Sequence, residues 1–166
     1  MTQRDEALAS MRMAREYTLN LLADVGQDEW FWMPTEGVTH LAWQLGHLAI
    51  AQYMLTMFRV RGAVPSDAEL IDPSYPDLFG RGSVPDPDAT RYPPMSEIRA
   101  TFDRVHARAL EEVSRYTDEA LEAPLETPHR LFTTKIGAIS WASRHELIHC
   151  GQIGLLKRLR GHAIKW

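Results

Sequence analysis

The stretch Lys135–Gly161, KIGAISWASRHELIHCGQIGLLKRLRG, decides how this chain is read. At its centre His145–His149 spells H-E-x-x-H, which on a helix is the zinc-peptidase pattern of two His ligands and a Glu general base. Lys157, Arg158 and Arg160 fall in the last turn, where cations suit the negative end of the helix dipole, and Gly161 follows as a stop. With His145 at zero and 100° per residue, His149 lies at about +40° and Gln152 at about −20°. Trp141 and Leu159 lie at about −40°, Ile148 at about −60° and Leu156 at about +20°. Both histidines are therefore expected in an apolar stripe facing a core. Glu146 takes the flank, and Ser143, Leu147, Cys150 and Gly154 take the opposite side.

Three more stretches carry a helical period. The first runs from about Thr2 to Val25, with Leu8, Met11, Thr18, Leu22 and Val25 near one face. The second runs from Thr39, an N-cap by type, to about Arg61, with Gly62 after it. The third begins at Ser96 behind Pro93-Pro94 and reads Ile98, Phe102, Val105, Ala109, Val113, Tyr116 along one seam. Period-2 alternation is absent, which predicts an all-α protein. On the second helix His47 shares its face with His40, Trp43, Met54 and Phe58. One inward imidazole is ordinarily a core histidine bonded to a carbonyl or hydroxyl. Three from two helices are costly to bury without partners, and an i,i+4 pair plus a third His makes a metal-binding face. His47, His145 and His149 are the expected ligands of one divalent ion.

Residues 63–95 hold seven of the ten prolines. A connection that long needs a reason. A four-helix bundle supplies one when its second and third helices run parallel, because the chain must then return along a helix of ~35 Å. The whole chain, 1–166, reads as a single domain. Apolar residues at 45% and charged residues at 24% are ordinary globular usage. A net charge of −4, with no long basic run, argues against a nucleic-acid partner. The polar N-terminus, the lone Cys150 and the absence of a ~20-residue apolar run predict a cytoplasmic protein with no membrane span.

Two relatives of the motif fit poorly. A zincin needs a third ligand downstream, yet Gln152 and Leu155 stand where the longer metzincin pattern asks for Gly and His, and no Asp or Glu follows His149. A di-iron bundle needs E-x-x-H on two helices; Glu146-x-x-His149 fits once, but the second helix offers Gln44-x-x-His47. Glu126–His129 fits the letters but carries Pro128, which suggests a loop. A mononuclear site is favoured.

WMPTEGVTHLAWQLGHLA (32–49), followed far downstream by SRHELIHCGQIGLLKRLRG (143–161), resembles the DinB/YfiT-like family. The family's second-helix ligand matches His47 and its H-x-x-x-H pair matches His145 and His149. The resemblance implies an up-down-down-up four-helix bundle with a long crossover between helices 2 and 3, often a homodimer. It implies zinc, or else nickel or iron, on the three His. Its characterised relatives include thiol-S-transferases that use low-molecular-weight thiols, and hydrolase activity is often inferred for it. The expected function is a metal-dependent hydrolase or thiol-dependent S-transferase acting on a small molecule. The alternative is a non-catalytic metal-binding module for stress response or docking.

Three neutral imidazoles leave a position open, where a water's pKa can fall to about 7 or a thiol can be deprotonated. Gln152, on the ligand face, is a candidate to orient either one. Glu146 is a candidate base, with an inter-helix ion pair as the competing reading. Trp43, Trp141 and Phe58 are available to shape a pocket. His40 reads as a cap-region residue and Cys150 as packing. The small residues Ser143, Cys150, Gly151 and Gly154 suggest a docking face for a second copy.

Overall fold

Thr2 opens the first helix with a reciprocal cap. Its hydroxyl accepts from the Asp5 N–H while the Asp5 carboxylate accepts from the Thr2 N–H, satisfying amides that a helix start leaves without partners. The computed structural model describes residues 2–163. Within them α1 (Gln3–Leu22) turns Leu8, Met11, Thr18 and Leu22 inward. α2 (Leu41–Tyr53) starts one residue later than Thr39 suggests. The cap is His40, whose Nδ1 accepts from the Trp43 N–H at 3.1 Å.

α2 then opens into a π turn, Met54–Phe58, before closing as α3 (Arg59–Arg61) and stopping at Gly62 with φ 82°. One extra residue in a turn rotates everything after it by about 100°. Phe58, inward on a regular helix, is 41% exposed as a result. Arg59, next along the turn, is half-buried.

The proline-rich connection is structured. It carries two short helices, α4 (Asp67–Leu70) and α5 (Tyr75–Phe79), and a 3-10 turn at Ala89–Arg91. Leu70, Ile71, Tyr75 and Phe79 enter the main core. The seat for Phe79 is Gly46, where a Cβ would lie 2.3 Å from the Phe79 ring. α6 (Met95–Arg115) buries Ile98, Phe102, Val105, Ala109 and Val113 completely. After α7 (Asp118–Glu122) comes an antiparallel hairpin, β1 (Pro124–His129) with β2 (Phe132–Thr134). The protein is mostly helical, and this small sheet corrects a purely α reading. Glu126–His129 is strand, not loop. With β2 only three residues long and the pairing irregular between Pro124 and His129, alternation had nothing to show.

α8 (Lys135–Arg160) runs from the Thr134 cap to Gly161, left-handed at φ 104°. Its extent matches the sequence reading, but its rotation does not. Ser143, Glu146 and Cys150 are buried, while Ile148, Leu155 and Leu159 are about half exposed. The cause is polar. Arg15 of α1 binds Glu146, Thr18 lies 3.2 Å from the Cys150 sulfur, and the Lys157 ammonium reaches the Leu21 carbonyl and Asp24. Across the other interfaces Gln44 meets His149 and Gln152, Gln52 meets His106, and Arg15 reaches the Phe102 carbonyl. Among the described residues no helix is long and apolar enough to cross a membrane.

Candidate metal centre

His47 from α2 and His145 and His149 from α8 converge. One ligand nitrogen from each lies within 4.8 Å of the others, and the ring centroids are 4.5–5.2 Å apart. A tetrahedral ion with bonds of about 2.0–2.1 Å holds its donors about 3.4 Å apart, so closure needs a contraction of at most about 1.4 Å. His149 is buried, and the other two are half-buried on the side that faces a cavity.

The structure orients two of the three rings. A carbonyl can only accept, so the 2.7 Å contact to Phe79 O makes His47 Nδ1 the donor and leaves Nε2 for a metal. Gln44, fully buried, donates its amide NH₂ to Thr39 Oγ1 at 3.0 Å and to Gln152 Oε1 at 2.9 Å. Its own oxygen must then accept, and it takes the His149 Nδ1 proton at 2.5 Å. Trp43 stacks on His47 at 4.7 Å and 10° between planes, and its indole N–H donates to Ser83 Oγ.

Burial drives the pKa values of the three imidazoles down. His149 falls to about 3 and His145 to about 4, chiefly by desolvation and further by the neighbouring imidazoles. His47 shifts the same way, from the same main cause, against the Phe79 carbonyl. All three are neutral at pH 7, the form that binds metal. Convergent neutral imidazoles, with Nδ1 occupied on two of them, fit a single divalent ion.

The remaining candidates separate. Gln152 joins the site through Gln44. Glu146 lies on α8's other flank, where it accepts from Arg15 Nε at 2.9 Å and Thr18 Oγ1 at 2.8 Å. Arg15 also donates to Phe102 O and Gln52 Oε1, and its guanidinium sits 3.3 Å from the Phe102 ring centroid. His40 is a fully buried cap between Phe31 and Tyr92. Cys150 is buried and its thiol is pushed up to about 11 by desolvation, so it is no ready nucleophile. Ser143 and Cys150 face α1 and are not open to a second copy.

A cavity of about 490 Å³ opens beside His47 and His145, walled by Trp141, Met54, Phe132 and others. Sequence reasoning missed Gln44's part, although its place three residues before His47 puts it on that face. It also missed the Phe79 carbonyl and the hairpin wall, neither of which has a periodic signature.

A family model described as the DinB superfamily matches residues 10–153, and the chain belongs to that superfamily. No curated protein matches it.

Proposed function

We propose that this DinB-superfamily chain is a mononuclear metal-dependent enzyme acting on a small molecule, as a hydrolase or thiol-dependent S-transferase. One observation carries the reading: three neutral imidazoles converge at the wall of a cavity large enough for a small molecule. A divalent ion held by His47, His145 and His149 supplies Lewis acidity that lowers the pKa of a water or thiol. The chain's own groups do the rest. Gln44 and the Phe79 carbonyl hold the imidazole tautomers, Gln152 braces Gln44, and the apolar wall orients the substrate and keeps water out. Zinc is the proposed occupant, with nickel or iron as the competitors.

The same reading takes the bundle as up-down-down-up. Its support is that contacts between α1 and α8, and between α2 and α6, advance together along both helices. Those between α2 and α8 advance in opposite senses. The chain is further proposed to be cytoplasmic and a homodimer, with the exposed face Ile148, Gly151, Leu155, Leu159 as the contact; a monomer by sedimentation at micromolar concentration contradicts the dimer.

The test begins with elemental analysis of protein purified without a His tag, where one metal per chain is expected. Turnover is then assayed with bacillithiol, mycothiol, glutathione and simple esters, in wild type and His149→Ala. Metal-dependent turnover lost in the variant supports the proposal. Bound metal with no turnover on any of these leaves the non-catalytic module as the better reading, and protein purified without metal that also takes up none overturns both.

A further inference from the structure

The cavity beside the histidines has walls of two chemical kinds. Ile50, Met54, Leu55, Phe132 and Trp141 make an apolar body, while Arg59 and Arg81 add two cations. Among the described residues none that lines it is acidic, although the chain carries 22 Asp and Glu against 18 Lys and Arg. Several arginines elsewhere meet carboxylates, as Arg15, Arg61, Arg99 and Arg115 do. Among the described residues Arg59 and Arg81 form no ion pair.

The π turn aims Arg59. On a regular helix Phe58 would look into this space, and the extra residue puts Arg59 there instead. Its guanidinium is steadied by a long 3.5 Å bond to the Thr127 carbonyl and lies 5.8 Å from the Phe132 ring. Most of its five donors remain available. Twelve residues at 1.5 Å rise set the Arg59 Cα roughly 18 Å along the axis from that of His47, and the side chain tilts back towards the N-terminus. Arg81 sits at the other end of the wall, two residues past the Phe79 carbonyl that binds His47.

From this geometry we infer that the cavity takes an organic carboxylate with an apolar body. The carboxylate pairs with the Arg59 fork, the body lies along Ile50, Met54, Leu55 and Phe132, and the far end reaches the three histidines. Arg81, exposed, raises the local concentration of the anion. The inference rests on the histidines being the reaction centre, and it names the substrate class for that centre.

The experiment compares 4-phenylbutyrate with 4-phenylbutan-1-ol, by calorimetric titration into the intact protein, both metal-free and loaded with Zn²⁺. In metal-free protein the acid is expected to bind at least tenfold tighter than the alcohol. Arg59→Gln is expected to abolish that preference and Arg59→Lys to restore part of it; Arg81→Gln reduces it several-fold. Zn²⁺ alone is titrated into Arg59→Gln, whose metal binding is expected to match wild type. Equal binding of acid and alcohol overturns the inference, as does no binding of either. A preference that survives Arg59→Gln, or that exists only with Zn²⁺ present, overturns it too, because the carboxylate then sits on something else. An acid preference in a protein that takes up no Zn²⁺ upholds the anion site while sinking the metal reading.

Discussion

Glu146 offers the sharpest test, because H-E-x-x-H invites a catalytic reading and the structure gives the residue a partner. In Glu146→Ala the Arg15 guanidinium, 5% exposed, loses its only carboxylate contact of hydrogen-bond length among the described residues. Breaking a buried pair by removing one partner costs about 3–5 kcal/mol. The Phe102 carbonyl, the Gln52 amide oxygen and the Phe102 ring stay in place, which puts the loss at the low end, about 3 kcal/mol. In a chain of this size 1 kcal/mol is worth about 2–4 °C, so Tm should fall by about 6–12 °C. Glu146→Gln keeps an oxygen for Arg15 Nε and Thr18 and loses the charge; about half the effect is expected. The double variant Arg15→Met, Glu146→Leu should return to within about 2 kcal/mol of wild type. The assay is urea unfolding of metal-free protein followed by circular dichroism, with a Zn²⁺ titration of each folded variant, which should still bind one ion. If metal-free stability stays within about 0.5 kcal/mol of wild type while turnover collapses, the reasoning from burial is refuted and Glu146 acts at the reaction centre.

Gly46→Ala puts a Cβ 2.3–2.5 Å from three atoms of the Phe79 ring. Overpacking should outweigh the helix-propensity gain for a net loss of about 1–2 kcal/mol, and moving Phe79 should weaken Zn²⁺ binding; unchanged values for both contradict the coupling. Gln44→Leu removes the acceptor on His149 Nδ1, and Zn²⁺ affinity by chelator competition should drop about 10–100-fold; an unaltered affinity argues that the amide is structural only. His40, pushed down to about 4 by burial, stays neutral in the fold while the unfolded chain protonates near 6.5. Between those values the unfolded state binds more protons, so stability is lost as the pH is lowered from 6.5 towards 4, by up to about 3 kcal/mol. His40→Asn, which keeps a cap acceptor, should lose that much less between pH 7.5 and 4.5, and equal losses in the two proteins would speak against it.

Helix extents and the convergence of His47, His145 and His149 were legible because burial repeats every 3.6 residues and imidazoles at i,i+4 share a face. α6 shows this best, with Ile98, Phe102, Val105, Ala109 and Val113 all buried as the period predicts. The reading failed where a polar bond or a backbone irregularity outweighs the period. Ile148 and Leu159 look outward because Glu146 and Lys157 must look inward. Phe58 is expelled by a π turn that no residue type announces. The proline-rich connection showed no period because α4 and α5 are too short to repeat, yet Phe79 supplies the carbonyl on His47. Gln44 was visible as a letter, but not as a support, since that role depends on Thr39 and Gln152 holding its other end.

α8 is clocked by charge more than by grease. Its screw angle is set by bonds from Arg15 to Glu146 and from Lys157 to the end of α1, and that angle keeps three large aliphatic side chains half in water. Rolling the helix to hide those aliphatics would turn His145 and His149 to another bearing. An ion gripped by all three imidazoles would act as a third latch against that roll, so site loading and helix clocking should be felt as one equilibrium.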